Sequence, residues 1–157
     1  MPEETRIQGP LLKRAVDCEP ILKALPAWFG IPSAVQQYLV DINRLPTFLA
    51  MREADVIGFL TLTIHNYSSA EIHVMGVMPT YHRLGIGAKM IRSAEQHLVE
   101  NGCEYLQVKT LSAKDTDPNY ALTRKFYEKM GFRPLQEWPE LWGPDNPCVQ
   151  LIKTIVV

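Results

Sequence analysis

Apolar and polar residues alternate along the chain in short segments, which is the pattern of β-strands. Six segments predict strands: 11–18, 46–52, 56–67, 70–78, 104–111 and 149–157. The third, VIGFLTLTIHNY, is rich in β-branched and aromatic residues and predicts a long central strand. The fourth, AEIHVMGVM, ends at Pro79, which cannot donate a hydrogen bond to a sheet.

Apolar residues recur at three- and four-residue steps from Gly87 to Asn101, which predicts an amphipathic helix that stops at Gly102. A second helix is predicted over 116–132, opened by proline and ended by glycine. Between the first two strands, three prolines fit the first turns or boundaries of two short helices: Pro20, Pro26 and Pro32. The turn-rich segment 138–148 is predicted to be a loop.

Length and composition exclude several classes of protein. At 157 residues, without an internal repeat or linker, the chain is predicted to be a single domain, 1–157. Its formal net charge of −1 does not indicate a basic surface for binding nucleic acid or an anionic membrane. We expect neither a classical export signal nor a membrane span, because MPEETRIQGP has no apolar run and 18 apolar residues never stand together.

The three cysteines are far apart and form no CxxC pair, which argues against a disulfide framework and a zinc site. Cysteines that form no disulfide framework favour a reducing compartment, so we expect a cytoplasmic location. The four histidines also lack metal-ligand spacing with any cysteine or carboxylate cluster. No metal is therefore expected.

The octapeptide YHRLGIGA (81–88) places two glycines behind Arg83, between a predicted strand and a helix. A helix N-terminus has unpaired N–H groups and partial positive charge, and glycines let an anion approach them. The dinucleotide fingerprint fails because its third glycine would fall at Met90, and a P-loop fails because no Gly-Lys-Ser/Thr follows. On spacing alone, a coenzyme A turn and a simple strand-to-helix corner remain open.

The longer stretch VMPTYHRLGIGAKMI (77–91) resembles the central motif of the GNAT acetyltransferases, Arg/Gln-x-x-Gly-x-Gly/Ala after a V-x-P-x-Y lead-in. KFYEKMGF (125–132) resembles the second hallmark of that family, a helix whose tyrosine faces the coenzyme thiol. The resemblance extends over nearly the whole chain. It implies an α+β fold, with a central, mostly antiparallel twisted sheet of six to seven strands flanked by about four helices. It also implies acetyl-CoA as co-substrate.

The resemblance further implies a set of coenzyme-binding residues. The pyrophosphate would rest on the turn, formed by His82, Arg83, Leu84, Gly85, Ile86, Gly87 and Ala88. The preceding strand residues would pair with the pantetheine arm and hold the acetyl carbonyl: Met75, Gly76 and Val77. Thr123 and Arg124 are further candidates, and Phe126 joins them although it also fits a core position. His82 replaces the usual Arg or Gln, so phosphate affinity would depend more on Arg83.

Three residues are candidates for proton transfer. The resemblance makes Tyr127 the general acid that protonates the departing thiolate, and a buried structural tyrosine is the alternative. An amine acceptor also needs a base. Glu71 and His73 stand two apart on one strand and therefore share a face. The family favours an acid such as Glu71, whereas His73 has the more suitable intrinsic pKa, and each is alternatively a structural residue.

The resemblance places the acceptor between two loops, 26–33 and 137–147. Their aromatic residues are candidate substrate-binding groups: Trp28, Phe29, Trp138 and Trp142. Glu137, Glu140 or Asp145 would attract a cationic amine. The alternative is that these tryptophans cover the core beneath long loops.

The leading hypothesis is an acetyl-CoA-dependent N-acetyltransferase in which a primary amine attacks the thioester directly in a ternary complex. The alternative is a non-catalytic acyl-CoA-binding sensor of the same fold. A longer acyl group also remains open, as do a homodimer and the identity of the small-molecule or peptide amine. Antibiotics, polyamines, amino acids and protein N-termini are all compatible with the sequence.

Overall fold

The computed structural model describes residues 4–155, and this part of the chain forms a mixed α+β protein. The strands are β1 (Arg6–Leu11), β2 (Thr47–Arg52), β3 (Asp55–Ile64), β4 (Ser69–Val77), β5 (Tyr105–Leu111), β6 (Arg133–Trp138) and β7 (Cys148–Thr154). The α-helices are α1 (Ala15–Lys23), α2 (Pro32–Arg44), α3 (Ile86–Glu100) and α4 (Pro118–Lys129). A short 3-10 helix spans Pro79–Tyr81.

Backbone hydrogen bonds order the seven strands as β1-β2-β3-β4-β5-β7-β6. Pairing is antiparallel for β1 with β2, β2 with β3, β5 with β7 and β6 with β7. Strand β4 runs parallel to β5 over Ser69 to Ile72, and helix α3 makes the crossover between them. The expected α+β fold, with a mostly antiparallel sheet and four helices, is confirmed.

The chain is divided into two compact units. The first comprises the residues up to Thr63 together with His73–Leu98, and the second comprises Ile64–Ile72 together with the residues from Val99 onward. The single domain predicted over 1–157 stays a prediction.

The first unit has an apolar core beneath α1 and α2. Its fully buried side chains include Ile21, Leu22, Ile42 and Phe59. Gly76 on β4 belongs to this packing, because a Cβ added there would lie 3.0 Å from Leu25 and 3.1 Å from Ile21. Helix α3 buries the apolar stripe predicted for it, which consists of Met90, Ile91, Ala94 and Leu98.

In the second unit, β5 and β7 bury one face each. Leu106, Val108, Val149 and Leu151 point to the buried side, while the residues between them are less buried. Helix α4 begins where the sequence predicts, with Pro118 at its first position and the Asp117 side chain accepting from the Asn119 N–H at 2.8 Å. It ends before Gly131, which has a φ of 100°.

One strand prediction was wrong, and one strand was not predicted. Residues 11–18 do not form a strand, because β1 ends at Leu11 and α1 begins at Ala15, whose N–H donates to the Asn43 side chain. Strand β6 was missed because all six of its residues are exposed, so it has no buried alternation, and it contains Pro134. An edge strand paired on one side tolerates both features.

The remaining boundaries differ by a few residues. Strand β3 stops at Ile64 rather than at 67, and the last two residues of the predicted strand 149–157 lie outside the described residues. Pro32 opens α2 and Pro26 lies in the connection, as expected. Pro20, however, lies inside α1. The carbonyl four residues earlier, which Pro20 cannot bond, belongs to the exposed residue Val16.

Candidate active site

The turn before α3 leaves a row of backbone N–H groups without internal acceptors. Among the described residues, the first N–H of this region to find a backbone acceptor is that of Lys89, which donates to Gly85 O at 3.0 Å. The N–H groups of residues 83–88 therefore remain for a ligand. Gly85 has a φ of 78°, and a Cβ added there would meet nothing within 4 Å. The turn thus has both the donors and the open space that an anion needs.

Arg83 and His82 in this turn have different environments. Arg83 is exposed and holds a φ of 65°, an uncommon conformation for a residue with a Cβ. His82 Nε2 lies 2.7 Å from the Val77 carbonyl, to which it donates. Its ring also meets Trp28 edge-on, with centroids 6.3 Å apart. His82 therefore ties the turn to the end of β4 and to the loop between α1 and α2.

The other expected coenzyme-binding residues have structural partners of their own. Met75 and Val77 are half-buried on β4. Thr123 Oγ1 donates to Asn119 O at 3.1 Å, within α4. Arg124 donates to the carbonyls of Leu111 and Ser112 at 2.9 and 3.1 Å. Arg124 thus fixes α4 to the end of β5.

Tyr127 is buried in α4, with 6% of its surface exposed. Its ring lies 5.3 Å from that of Phe126 and 5.5 Å from that of Phe132. Phe126 is half-buried. These contacts fix the ring plane of the tyrosine, which a positioned proton donor requires and a structural aromatic residue also shows.

Glu71 is a buried carboxylate with two basic partners in the second unit. Lys109 Nζ lies 3.1 Å from Oε1 and 2.8 Å from Oε2, and His65 Nε2 lies 2.7 Å from Oε1. The exposed fractions are 11% for the Glu71 side chain, 25% for Lys109 and 39% for His65. Both carboxylate oxygens are therefore engaged.

His73 meets a different carboxylate, in the first unit. Its Nε2 lies 2.8 Å from Asp41 Oδ2 on α2, and its ring meets Tyr38 edge-on at 5.7 Å. Asp41 also accepts from Gln37 at 2.9 Å and from Arg44 at 3.0 Å. Burial by itself would raise the pKa of Asp41, but these hydrogen bonds and the charge of His73 outweigh it and lower that pKa. Burial, followed by the Asp41 charge, raises the pKa of Tyr38.

The four aromatic candidates for the acceptor side belong to two units. Trp28 and Phe29 pack against the core of the first unit, where Phe29 meets Tyr38 edge-on at 5.7 Å. In the second unit, Trp138 and Trp142 are 40% and 42% exposed, and Trp138 Nε1 donates to Gln150 Oε1 at 2.8 Å.

One of the acids expected to attract an amine is already paired. Glu137 lies 3.1 Å from Lys114 Nζ.

The cysteines are buried and unpaired. Burial raises the pKa of Cys18 to about 12 and that of Cys148 to about 11, so neither thiol supplies a thiolate near neutral pH. Among residues 4–155, no cluster of three or more metal-ligating side chains occurs. Over the same residues, no helix is long and apolar enough to cross a membrane.

The sequence analysis missed Asp41, His65, Lys109 and Gln150, which contact the candidate residues described above, and Gln107, which donates to Ser69 Oγ at 2.6 Å. One signal was present for part of the set. Gln107 and Lys109 alternate with apolar residues on β5, so the two polar side chains share the face opposite the buried one. Asp41 gives no comparable signal, because its partner His73 is 32 residues away in the chain.

Comparisons with known proteins agree with the motifs. The family model "Acetyltransferase (GNAT) family" matches residues 18–132. Among solved structures, a GNAT-family protein from Desulfovibrio desulfuricans superposes with a TM-score of 0.83 at 14% identity, covering 98% of this chain and 100% of that one. A comparison with curated protein sequences gives no match.

Two further solved structures share the fold. A ribosomal-protein-alanine N-acetyltransferase from Escherichia coli has a TM-score of 0.77 at 15% identity, covering 98% of this chain and 96% of its own. An aminoglycoside 6'-N-acetyltransferase complexed with coenzyme A has a TM-score of 0.74 at 15% identity, covering 97% and 98%. At such identities the likeness shows the fold alone.

Proposed function

Because the chain belongs to the GNAT family of acetyltransferases, we propose that it transfers an acetyl group from acetyl-CoA to a primary amine by direct attack within a ternary complex. The observation that carries the proposal is the row of unpaired N–H groups at residues 83–88, at the N-terminus of α3. This row suits a pyrophosphate, and the structural neighbour that contains coenzyme A has the same fold.

Acetyl-CoA would supply a thioester carbonyl for attack by the amine and a thiolate as leaving group. The turn residues 83–88 would bind its pyrophosphate through backbone N–H groups, assisted by the Arg83 guanidinium. His82 would act by bracing the turn, since its Nε2 already donates to the Val77 carbonyl. Met75, Gly76 and Val77 would hold the pantetheine arm and the acetyl carbonyl, as the family resemblance implies.

His73 is the better candidate for the proton acceptor. The carboxylate of Glu71 already binds Lys109 and His65, so a cationic amine would have to displace one of them. The imidazole of His73 donates from Nε2 to Asp41, which leaves Nδ1 with its lone pair in the neutral tautomer. Asp41 would be a positioning residue that fixes this tautomer.

Tyr127 is proposed as the general acid that protonates the departing thiolate. This role comes from the resemblance of KFYEKMGF to the family motif, and the fixed ring of Tyr127 suits it. Tyr127→Phe keeps the ring contacts and removes only the hydroxyl.

The test is thiol release from acetyl-CoA across a panel of amines, with coenzyme binding measured separately by calorimetry. We expect amine-dependent release that falls at least about tenfold in Tyr127→Phe, with binding retained. Coenzyme binding without release for any amine would favour the sensor alternative. Absence of coenzyme binding would contradict the assignment of residues 83–88.

A further inference from the structure

Three neighbouring strands of the second unit carry polar side chains on one face. Glu71 on β4 lies opposite Gln107 on β5, and Lys109 on β5 lies opposite Gln150 on β7. A shallow cavity of about 340 Å³, widely open to solvent, lies on this face. Its lining consists of His65, Gln107, Lys109, Trp138, Leu141 and Gln150.

The neutral polar groups of the cavity form a directed chain of hydrogen bonds. The indole Nε1 of Trp138 can only donate, and it donates to Gln150 Oε1 at 2.8 Å. This contact orients the Gln150 amide so that its Nε2 donates to Gln107 Oε1. Gln107 Nε2 in turn donates to Ser69 Oγ at 2.6 Å. Both amide oxygens are therefore engaged, while each amide nitrogen retains a second hydrogen.

Lys109, a charged residue of the cavity lining, also has an N–H group available as a donor. Lys109 has three N–H bonds, and its two contacts to described residues both go to Glu71. Glu71, the acidic partner of this group, has both oxygens occupied by Lys109 and His65. The cavity therefore presents one ammonium N–H and amide N–H groups, which is the complement of a carboxylate.

An apolar wall stands beside these donors. Trp138 and Leu141 are 40% and 53% exposed, so each offers apolar surface that a ligand would cover. A ligand that suits both features has a carboxylate and an apolar or aromatic group.

We propose that this cavity binds the carboxylate of the acetyl acceptor, so that the acceptor is an amino-acid-like zwitterion with an apolar side chain. The inference rests on the proposed function, since it assumes that an amine is acetylated. Trp138 and Leu141 of the cavity lining belong to the segment 137–147, which the family resemblance assigns to the acceptor. A polycation is disfavoured because the cavity lining carries the Lys109 ammonium and no carboxylate.

The first experiment measures binding without transfer. Isothermal titration with 3-phenylpropionate, which has no amine, is compared with the neutral 3-phenylpropionamide. We expect saturable binding of the acid to the wild type and at least tenfold weaker binding of the amide. Lys109→Met is expected to weaken the acid at least tenfold. Lys129→Met, which removes an exposed lysine at the end of α4, serves as the matched control and is expected to bind as the wild type does.

A double variant separates loss of binding from loss of folding. Lys109→Met alone leaves the buried Glu71 carboxylate short of a partner, whereas Glu71→Gln/Lys109→Met removes the charge together with its partner. If the folded double variant binds 3-phenylpropionate as tightly as the wild type does, the proposal is overturned. Equal binding of acid and amide to the wild type, or no binding of either, would overturn it as well.

The second experiment measures thiol release with L-phenylalanine, L-phenylalaninamide and spermidine. We expect kcat/KM for phenylalanine to exceed that for its amide at least tenfold, although the amide has the more readily deprotonated amine. This ratio should collapse in Lys109→Met. Preference for the amide or for spermidine would overturn the proposal and leave the transferase function standing. Lys109-dependent binding of 3-phenylpropionate without release from any amine would support the carboxylate site and refute the transferase function.

Discussion

Strand β4 contributes one residue to each of two histidine–carboxylate pairs, and these residues, Glu71 and His73, stand two apart. The pairs differ in which partner the strand supplies, the carboxylate or the histidine. In the pair Glu71–His65, the strand supplies the carboxylate, and Lys109 binds the same group. In the pair His73–Asp41, the strand supplies the imidazole, and α2 supplies the carboxylate. The first arrangement pairs a buried carboxylate with a cation, whereas the second holds the imidazole that we propose as the base. Glu71 and His73 are neighbouring candidates for the same proton transfer, and their partners elsewhere in the chain distinguish them.

Replacing each strand residue in turn tests this difference and should give the largest effect. We expect His73→Gln to lower kcat/KM about 100-fold, equivalent to about 2.7 kcal/mol of transition-state stabilisation, because it removes the proposed proton acceptor. Glu71→Gln should lower kcat less than about tenfold, since glutamine still accepts a hydrogen bond. The measurement is thiol release at saturating acetyl-CoA. His97→Gln on α3 is the control, and a larger loss of kcat in Glu71→Gln than in His73→Gln would reverse the assignment.

The next largest effect is expected on stability, at the buried Glu71 carboxylate and its partner Lys109. Lys109→Met should lower the free energy of unfolding by about 2 kcal/mol, because a buried carboxylate loses its main partner. Glu71→Gln/Lys109→Met should recover most of this loss, since both charges are then absent. Urea denaturation measures both. Lys114→Met breaks an exposed ion pair and should change stability by less than about 0.5 kcal/mol. Equal losses for Lys109→Met and Lys114→Met would mean that Glu71 does not depend on Lys109.

A smaller effect is expected at Asp41, which we propose acts through His73. Asp41→Asn should lower kcat about tenfold with KM for the acceptor unchanged, because an amide no longer fixes one imidazole tautomer. Asp41→Glu should restore part of the rate. A rise in KM with kcat unchanged would show that Asp41 serves acceptor binding instead.

The same carboxylate predicts a pH dependence of stability. The pKa of Asp41 is lower in the folded protein than its ordinary value, so its ionised form stabilises the fold. This contribution is complete above the unfolded pKa of about 4 and is lost as the pH falls through the folded pKa. The stability difference between the wild type and Asp41→Asn should therefore shrink below pH 4 in urea titrations. A difference independent of pH would contradict the ionised state.

The elements that the sequence predicts well are those with a strong local signal. Helix α3 has a regular apolar stripe, and α4 has its opening proline and closing glycine. Strand β6 lacks such a signal because all its residues are exposed, and its existence depends on pairing with β7. The residues of the candidate site likewise differ in whether the local sequence identifies them. The glycine turn is local, whereas Asp41 reaches His73 and Lys109 reaches Glu71 only through the folded arrangement of distant segments.

The smallest effect is expected at Arg44, the outermost partner of Asp41. Its side chain is 66% exposed, while that of Asp41 is 11% exposed, so water competes for the guanidinium at 3.0 Å. Arg44→Gln should change the free energy of unfolding by less than about 0.5 kcal/mol and kcat by less than twofold, because Gln37 and His73 still bind the carboxylate. Urea denaturation and thiol release measure the two quantities. A tenfold loss of kcat would mean that Arg44, rather than His73, is the partner through which Asp41 serves the reaction.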